Sequence, residues 1–182
     1  MATLTIELPS QEAQRAFNQR RWTELLADAE LARIEGRIET DRHGHIIMTP
    51  PPAARHGMLQ FEIGHLLRAR MAGGRVLTEC PISTADGVRA ADVAWASAEM
   101  MKELGDSGCF PRAPEVCVEV LSPSNTAAEM REKTALYFDA GAREVWMCDS
   151  SGAMTFFQAA EATVPMSASA AVPDFPVRIT LP

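Results

Sequence analysis

The 182-residue sequence predicts an α/β (α+β) fold, a β-sheet with helices packed on it. Three observations lead there. Val116 to Leu121 is an apolar, β-branched run with the composition of a strand buried on both faces. After the turn Ser122-Pro123-Ser124-Asn125, a helical pattern capped by Ser124 or Asn125 runs to about Ala140, where Gly141 stops it. Glu144 to Cys148 is then a second buried strand. The length suits one domain over residues 1–182, large enough to cover a sheet with helices.

Along the chain, residues 1–21 form an N-terminal lead-in that becomes helical from Ser10, with Ala13, Phe17, Trp22, Leu25, Leu26 and Ala29 as its apolar positions. Arg15, Arg20 and Arg21 read as a solvated face of that helix. Arg37 to Asp41 and His45 to Thr49 alternate apolar and polar around a Gly44-containing turn, the pattern of a β-hairpin. Glu39 shares the polar face of the first strand with Arg37 and Asp41. Pro50-Pro51-Pro52 breaks the second strand and leads into a helix from about Ala54 to Met71. His56, Leu59, Gln60, Ile63 and Leu67 share one face of it, which turns His56 inward. Arg75 to Cys80 reads as a strand closed by Pro81, and Thr84 to Gly87 as a turn. Arg89 to Trp95 is a strand with Asp92 in its middle, and residues 98–112 mix a short helical piece with a loop. Asp149 to Gly152 turns into a strand from Ala153 to Gln158, residues 159–182 are an irregular C-terminal segment, and Val177 to Leu181 reads as a last short strand.

Composition narrows the function classes. A hydrophobic fraction of 47% and a charged fraction of 23% are those of an ordinary soluble globular protein. A net charge of −7 excludes a protein that coats nucleic acid through bulk electrostatics, while leaving room for a local basic rim around an acidic, metal-filled centre. Cys80, Cys109, Cys117 and Cys148 form no C-x-x-C pair, which argues against a structural zinc site. No signal-peptide pattern opens the sequence and no apolar run approaches bilayer length, so the expectation is a reduced, cytoplasmic protein with no membrane partner.

The chemistry lies in charges placed where they are costly. Glu119 interrupts the apolar run Val116–Leu121, and Asp92 interrupts its own strand among small and apolar neighbours. A carboxylate in such a strand requires a cation, a metal or hydrogen bonds. On the following helix, Lys133 stands at helical offsets from Met130, Leu136, Tyr137 and Ala140, which turns it toward the sheet that carries Glu119. The competing arrangement is an exposed pair with Glu129, four residues earlier. Two carboxylates with a lysine beside them suit Mg²⁺ or Mn²⁺ and phosphodiester chemistry: carboxylate oxygens are hard ligands, and an ammonium stabilises charge on phosphate oxygens or orients an attacking water.

The segments that hold these residues resemble the Uma-two family of endonucleases, within the PD-(D/E)XK restriction-endonuclease-like superfamily. The resemblance rests on Arg37-Ile38-Glu39 with Gly44 and Met48, the Pro-Pro-Pro run with His56, Asp92-Val93, Glu119 to Ser124, Lys133 with Tyr137, and Gly141 to Trp146 with Asp149. It extends over roughly residues 22–160, and its most specific part is Val118 to Ser124 followed by Lys133, Tyr137 and Gly141. It implies a restriction-endonuclease-like core, a mixed β-sheet flanked by helices, and a Mg²⁺- or Mn²⁺-dependent hydrolase that cuts DNA. Asp92 and Glu119 would be the metal carboxylates, with the Val120 carbonyl as a further ligand; Lys133 would be the catalytic lysine and Glu39 the early acidic residue, with His56 and Tyr137 as accessory residues. The superfamily's Pro before the first Asp is Ala91 here, and its usual lysine two places after the Glu is Leu121, so the lysine has to reach in from the helix at Lys133. By the same analogy the protein would act as a homodimer, two sites for two strands.

Two other readings fit the sequence. One is a catalytically inactive nuclease fold kept as a binding or assembly module. The other is a buried Glu119–Lys133 salt bridge that holds no metal.

Overall fold

The computed structural model describes residues 9–181. The opening eight residues of the N-terminal lead-in, and Pro182, lie outside the described residues.

Ser10 caps the first helix, α1 (Gln11–Leu26), through its hydroxyl. The predicted hairpin forms as β1 (Arg37–Thr40) and β2 (Ile46–Thr49), antiparallel, with Glu39 opposite Ile47. Helix α2 (Ala54–Arg70) follows the proline run. The chain then builds β3 (Gly74–Thr84) and β4 (Gly87–Ser97), helix α3 (Ala98–Leu104), β5 (Val116–Val120), helix α4 (Ala127–Asp139), β6 (Glu144–Cys148) and β7 (Met154–Gln158). Strands β3 to β7 form one mixed sheet in sequence order, antiparallel throughout except for the parallel β5–β6 pair that α4 connects.

The strand–helix–strand unit predicted from Val116 onward is the middle of this sheet. All five residues of β5 are buried. Val116, Val118 and Val120 face α2, whose Leu59, Ile63 and Leu67 recur every four residues and pack with Trp146, Phe156 and the C-terminal Phe175. Each such apolar side chain contributes roughly 1.5–3 kcal/mol on burial. Cys117 faces the opposite way, into a second core with Val145, Met100 of α3 and Tyr137 of α4. Glu119 alternates with Val118 and Val120, so it too faces α4.

Three local expectations are corrected, and one competing arrangement is removed. Pro81 does not close β3: the strand runs on to Thr84, because β3 is an edge strand and the Pro81 carbonyl points to the open edge, where Phe110 N–H meets it at 2.9 Å. The missing proline N–H falls on that same open side and costs the ladder nothing. The α4 cap is Thr126, not Ser124 or Asn125; Thr126 and Glu129 form a reciprocal capping box. That occupies Glu129 and removes it as the partner of Lys133. The C-terminal stretch gives two isolated bridges, Phe156 to Met166 and Ala153 to Arg178, rather than a strand over Val177–Leu181. It is pinned instead by the buried Glu144 carboxylate, which accepts from Trp146 Nε1, Ser169 Oγ and Ala171 N–H.

Candidate active site

The sheet comes apart at one place. The β4–β5 ladder pairs Trp95, Ala94 and Val93 with Val116, Cys117 and Val118, and there it ends. One residue further on, continued pairing would join Asp92 to Glu119. In the neighbouring β3–β4 ladder the Glu79–Asp92 pair is also skipped, and Glu79 takes a positive φ of 50°. β4 thus diverges from β5 at Asp92, and a fork opens between them.

Backbone groups exposed by a fork inside a core must find partners. Side chains supply partners for four of them. Glu39 Oε1 accepts from Ala90 N–H at 2.9 Å, and Lys133 Nζ donates to the Ala90 carbonyl at 3.0 Å. Gln60 Nε2 donates to the Asp92 carbonyl at 2.7 Å, and Asp92 Oδ2 accepts from Val120 N–H at 2.7 Å. Next to them, Thr40 Oγ1 accepts from Val88 N–H at 2.9 Å, so β1 lies along the freed edge of β4 and is joined to it through side chains. The close approach depends on Gly87, at φ +88°, where a Cβ would lie 2.2 Å from the Thr40 carbonyl oxygen.

The predicted site residues meet in this fork. Asp92, Glu119, Glu39 and Lys133 are all buried, between 1% and 8% exposed. Lys133 Nζ lies 3.0 Å from Glu119 Oε2 and 3.1 Å from Glu39 Oε1, so it points inward as its helical offsets require. Tyr137, one turn on, donates its hydroxyl to Glu119 Oε1 at 2.7 Å. His56, at the start of α2, places Nε2 3.4 Å from Asp92 Oδ1. Val120 engages the cluster through its N–H. Asp92, Glu119, Lys133, His56 and Val120 form the floor of a cavity of about 420 Å³, walled by Pro50–Pro52, Leu59 and the Leu121–Asn125 turn; Glu39 and Tyr137 touch Lys133 and Glu119 but do not line it.

Sequence reasoning missed Arg37, Glu79, Gln60 and Arg89 as members of the site. Arg37 Nη1 reaches Asp92 Oδ1 at 2.5 Å and Glu79 Oε2 at 3.5 Å, while Nη2 lies 3.8 Å from Glu39. Gln60 steadies Glu79 at 3.0 Å, and Arg89 Nη1 stands 3.5 Å from Glu39 Oε2. The strand alternation that places Arg37 on the face of Glu39 was the available signal; for Glu79, whose backbone leaves the extended region, there was none.

The electrostatics follow from burial and partners. Burial acts to raise the Asp92 carboxyl, but His56, Arg37 and the Val120 N–H outweigh it and hold Asp92 below the usual carboxylate range. Glu39 is likewise held down, with Lys133 and the Ala90 N–H overcoming burial. Glu119 goes the other way: complete burial pushes it up to about 7 despite the pull of Lys133. Burial works to lower the Lys133 ammonium, yet Glu119 and Glu39 together keep it above its ordinary value. The His56 imidazole is raised, chiefly by its contact with Asp92.

In kind, the donor set suits a hard divalent cation: four carboxylates and no soft ligand. In arrangement, both oxygens of Asp92 and of Glu119 already meet a cation or a hydrogen-bond donor. Among the described residues, no three His, Cys, Asp or Glu side chains are drawn into a metal-holding group. The Arg37 guanidinium stands in as the cation between Asp92, Glu79 and Glu39.

Comparison with known proteins agrees with this architecture. A solved structure titled as a "putative nuclease belonging to DUF820" from Anabaena variabilis ATCC 29413 is similar over 71% of this chain and 76% of its own, at a TM-score of 0.58 and 18% identity. At that identity the likeness speaks for the fold. No curated protein matches the chain. No helix among the described residues is long and apolar enough to cross a membrane. The family model described as "Putative restriction endonuclease" matches residues 24–175, which takes in the hairpin, the fork and α4, and on that match the chain belongs to the Uma-two family.

Proposed function

We propose that the fork is the active centre of a metal-dependent endonuclease that hydrolyses DNA phosphodiester bonds. The observation that supports it most is the convergence of Asp92, Glu119 and Lys133, from β4, β5 and α4, at the floor of one cavity. The family description points to nucleic acid as the substrate. Asp92, Glu119 and the Val120 carbonyl would hold Mg²⁺ or Mn²⁺. Bound there, the ion would polarise the phosphodiester and lower the pKa of a water. The protein's own groups do the rest. Lys133, fixed by Glu39 and Ala90, keeps an ammonium beside the reacting phosphate. Tyr137 orients Glu119, His56 lines the cavity next to Asp92, and the proline wall limits water. A homodimer would present two such centres to two strands, and four buried free thiols support a reducing, cytoplasmic setting.

The test is a cleavage assay on supercoiled, linear and single-stranded DNA with Mg²⁺ or Mn²⁺. We expect cleavage that EDTA abolishes and that Asp92→Asn, whose amide oxygen can still accept from the Val120 N–H, loses with the fold intact by circular dichroism. Cleavage unchanged in Asp92→Asn refutes the assignment. A second reading, an inactive binding or assembly module, is favoured by one observation, the complete internal pairing of the carboxylates. Absence of cleavage together with absence of Mn²⁺ binding would favour it.

A further inference from the structure

We infer that Arg37 is a built-in counter-cation that a divalent ion must displace, so that metal and guanidinium compete for the same carboxylates. The inference rests on the nuclease reading only in taking Asp92 and its neighbours as a cation site.

The geometry makes Arg37 the resident occupant. Its Nη1 touches the one Asp92 oxygen not committed to the Val120 N–H, and the same nitrogen faces Glu79. Asp92 Oδ2 is tied to the sheet, so Oδ1 is the oxygen that can turn to a ligand; Arg37 holds it most closely, with His56 Nε2 at 3.4 Å beside it. Four carboxylates, Asp92, Glu119, Glu39 and Glu79, act on the guanidinium and keep it charged against the cost of burial. A doubly charged ion beside Asp92 would face that fixed positive charge within a few ångströms, in a site shielded from water.

Arg37 also has somewhere to go. It is the first residue of β1, at the open end of a two-stranded hairpin rather than inside the five-stranded sheet. Its side chain is 23% exposed, against 2% for Asp92, and it lines the cavity. A guanidinium swung off Asp92 into that cavity would remain where an anionic phosphodiester lies, and its planar fork suits phosphate oxygens. Lys133 is not placed for such a switch, since its ammonium is held by Glu119, Glu39 and the Ala90 carbonyl together. Arg37 is in this sense a positioning residue for the site, and its effect is on cation affinity.

The test is calorimetric titration of Mn²⁺ into chelator-washed full-length protein at pH 8, comparing wild type with Arg37→Met and Arg37→Lys. Loss of a charged hydrogen bond that the metal must break should tighten Mn²⁺ binding by about tenfold to a hundredfold in Arg37→Met. Arg37→Lys, which keeps a charge and serves if the Met variant fails to fold, should tighten it by a smaller factor. The rise in Tm on adding Mn²⁺ should rank the proteins in the same order. Wild type that binds Mn²⁺ as tightly as the variants, or more tightly, overturns the role of Arg37 and leaves the nuclease reading standing. Failure of wild type and both variants to bind overturns the metal reading, and the inference with it.

Discussion

Replacing Lys133 by Met keeps a side chain of similar length and removes only the charge. The ammonium sits 3.0 Å from Glu119, 3.1 Å from Glu39 and 3.0 Å from the Ala90 carbonyl, and all three partners are buried. At pH 8, above the value of about 7 to which burial raises Glu119, its loss strands a carboxylate and a backbone acceptor away from water. Glu39 keeps the Ala90 N–H and two arginines, whereas Glu119 keeps only Tyr137. Breaking a buried ion pair at one end costs roughly 3–5 kcal/mol. For a chain of this size each kcal/mol lowers Tm by about 2–4 °C, so Lys133→Met should melt roughly 6–20 °C below wild type. Urea denaturation of the single variant and of the double variant with Glu119→Gln measures it. The neutral amide that Glu119→Gln introduces can still accept from Tyr137 through its oxygen, so the double variant should regain at least about half of the loss. A single variant within about 1 kcal/mol of wild type, as for an exposed pair, refutes the reasoning, and so does a double variant no more stable than the single one.

Two further expectations concern stability. Glu119 sits above its ordinary value of 4.5, at about 7, so the native state holds a proton that the unfolded chain gives up. That contribution is full below the unfolded value and is lost as pH rises through about 7. Glu119→Gln should flatten the fall in urea midpoint between about pH 5 and 7; an unaltered slope rules Glu119 out as its source. Asp92 and Glu39 are shifted downward, so their contributions are present above their unfolded values and fade only toward lower pH, outside that window. Glu144→Ala orphans three donors. At about 1–3 kcal/mol for each buried one, it should destabilise the protein by at least about 2 kcal/mol and speed proteolysis within residues 159–181. An unchanged digestion pattern would contradict the anchoring role.

Much of the fold was legible because burial on both faces leaves a plain trace. Val116–Leu121 and Glu144–Cys148 admit few polar residues, so the parallel core pair and its connecting helix stood out, and Asp92 and Glu119 stood out against them. The inward turn of Lys133 followed from offsets of three and four residues, once Glu129 is recognised as a capping residue. What stayed hidden depends on pairing between distant segments. That Pro81 sits on an edge, that β4 parts from β5 at Asp92, and that Glu79 bends into the site are facts of register and neighbours, which no local pattern records. Arg37 was visible on the right face of its strand, but alternation gives a face and not a partner.

The charged residues of the fork answer to two demands at once. The strands need Asp92, Glu39, Lys133 and Gln60 to complete their hydrogen bonding whether or not a phosphodiester is ever cut. A family member that had ceased to cleave would therefore be held to the same residue types by folding alone. Retention of this signature in a relative testifies to the branched sheet first, and only a measured turnover testifies to an enzyme.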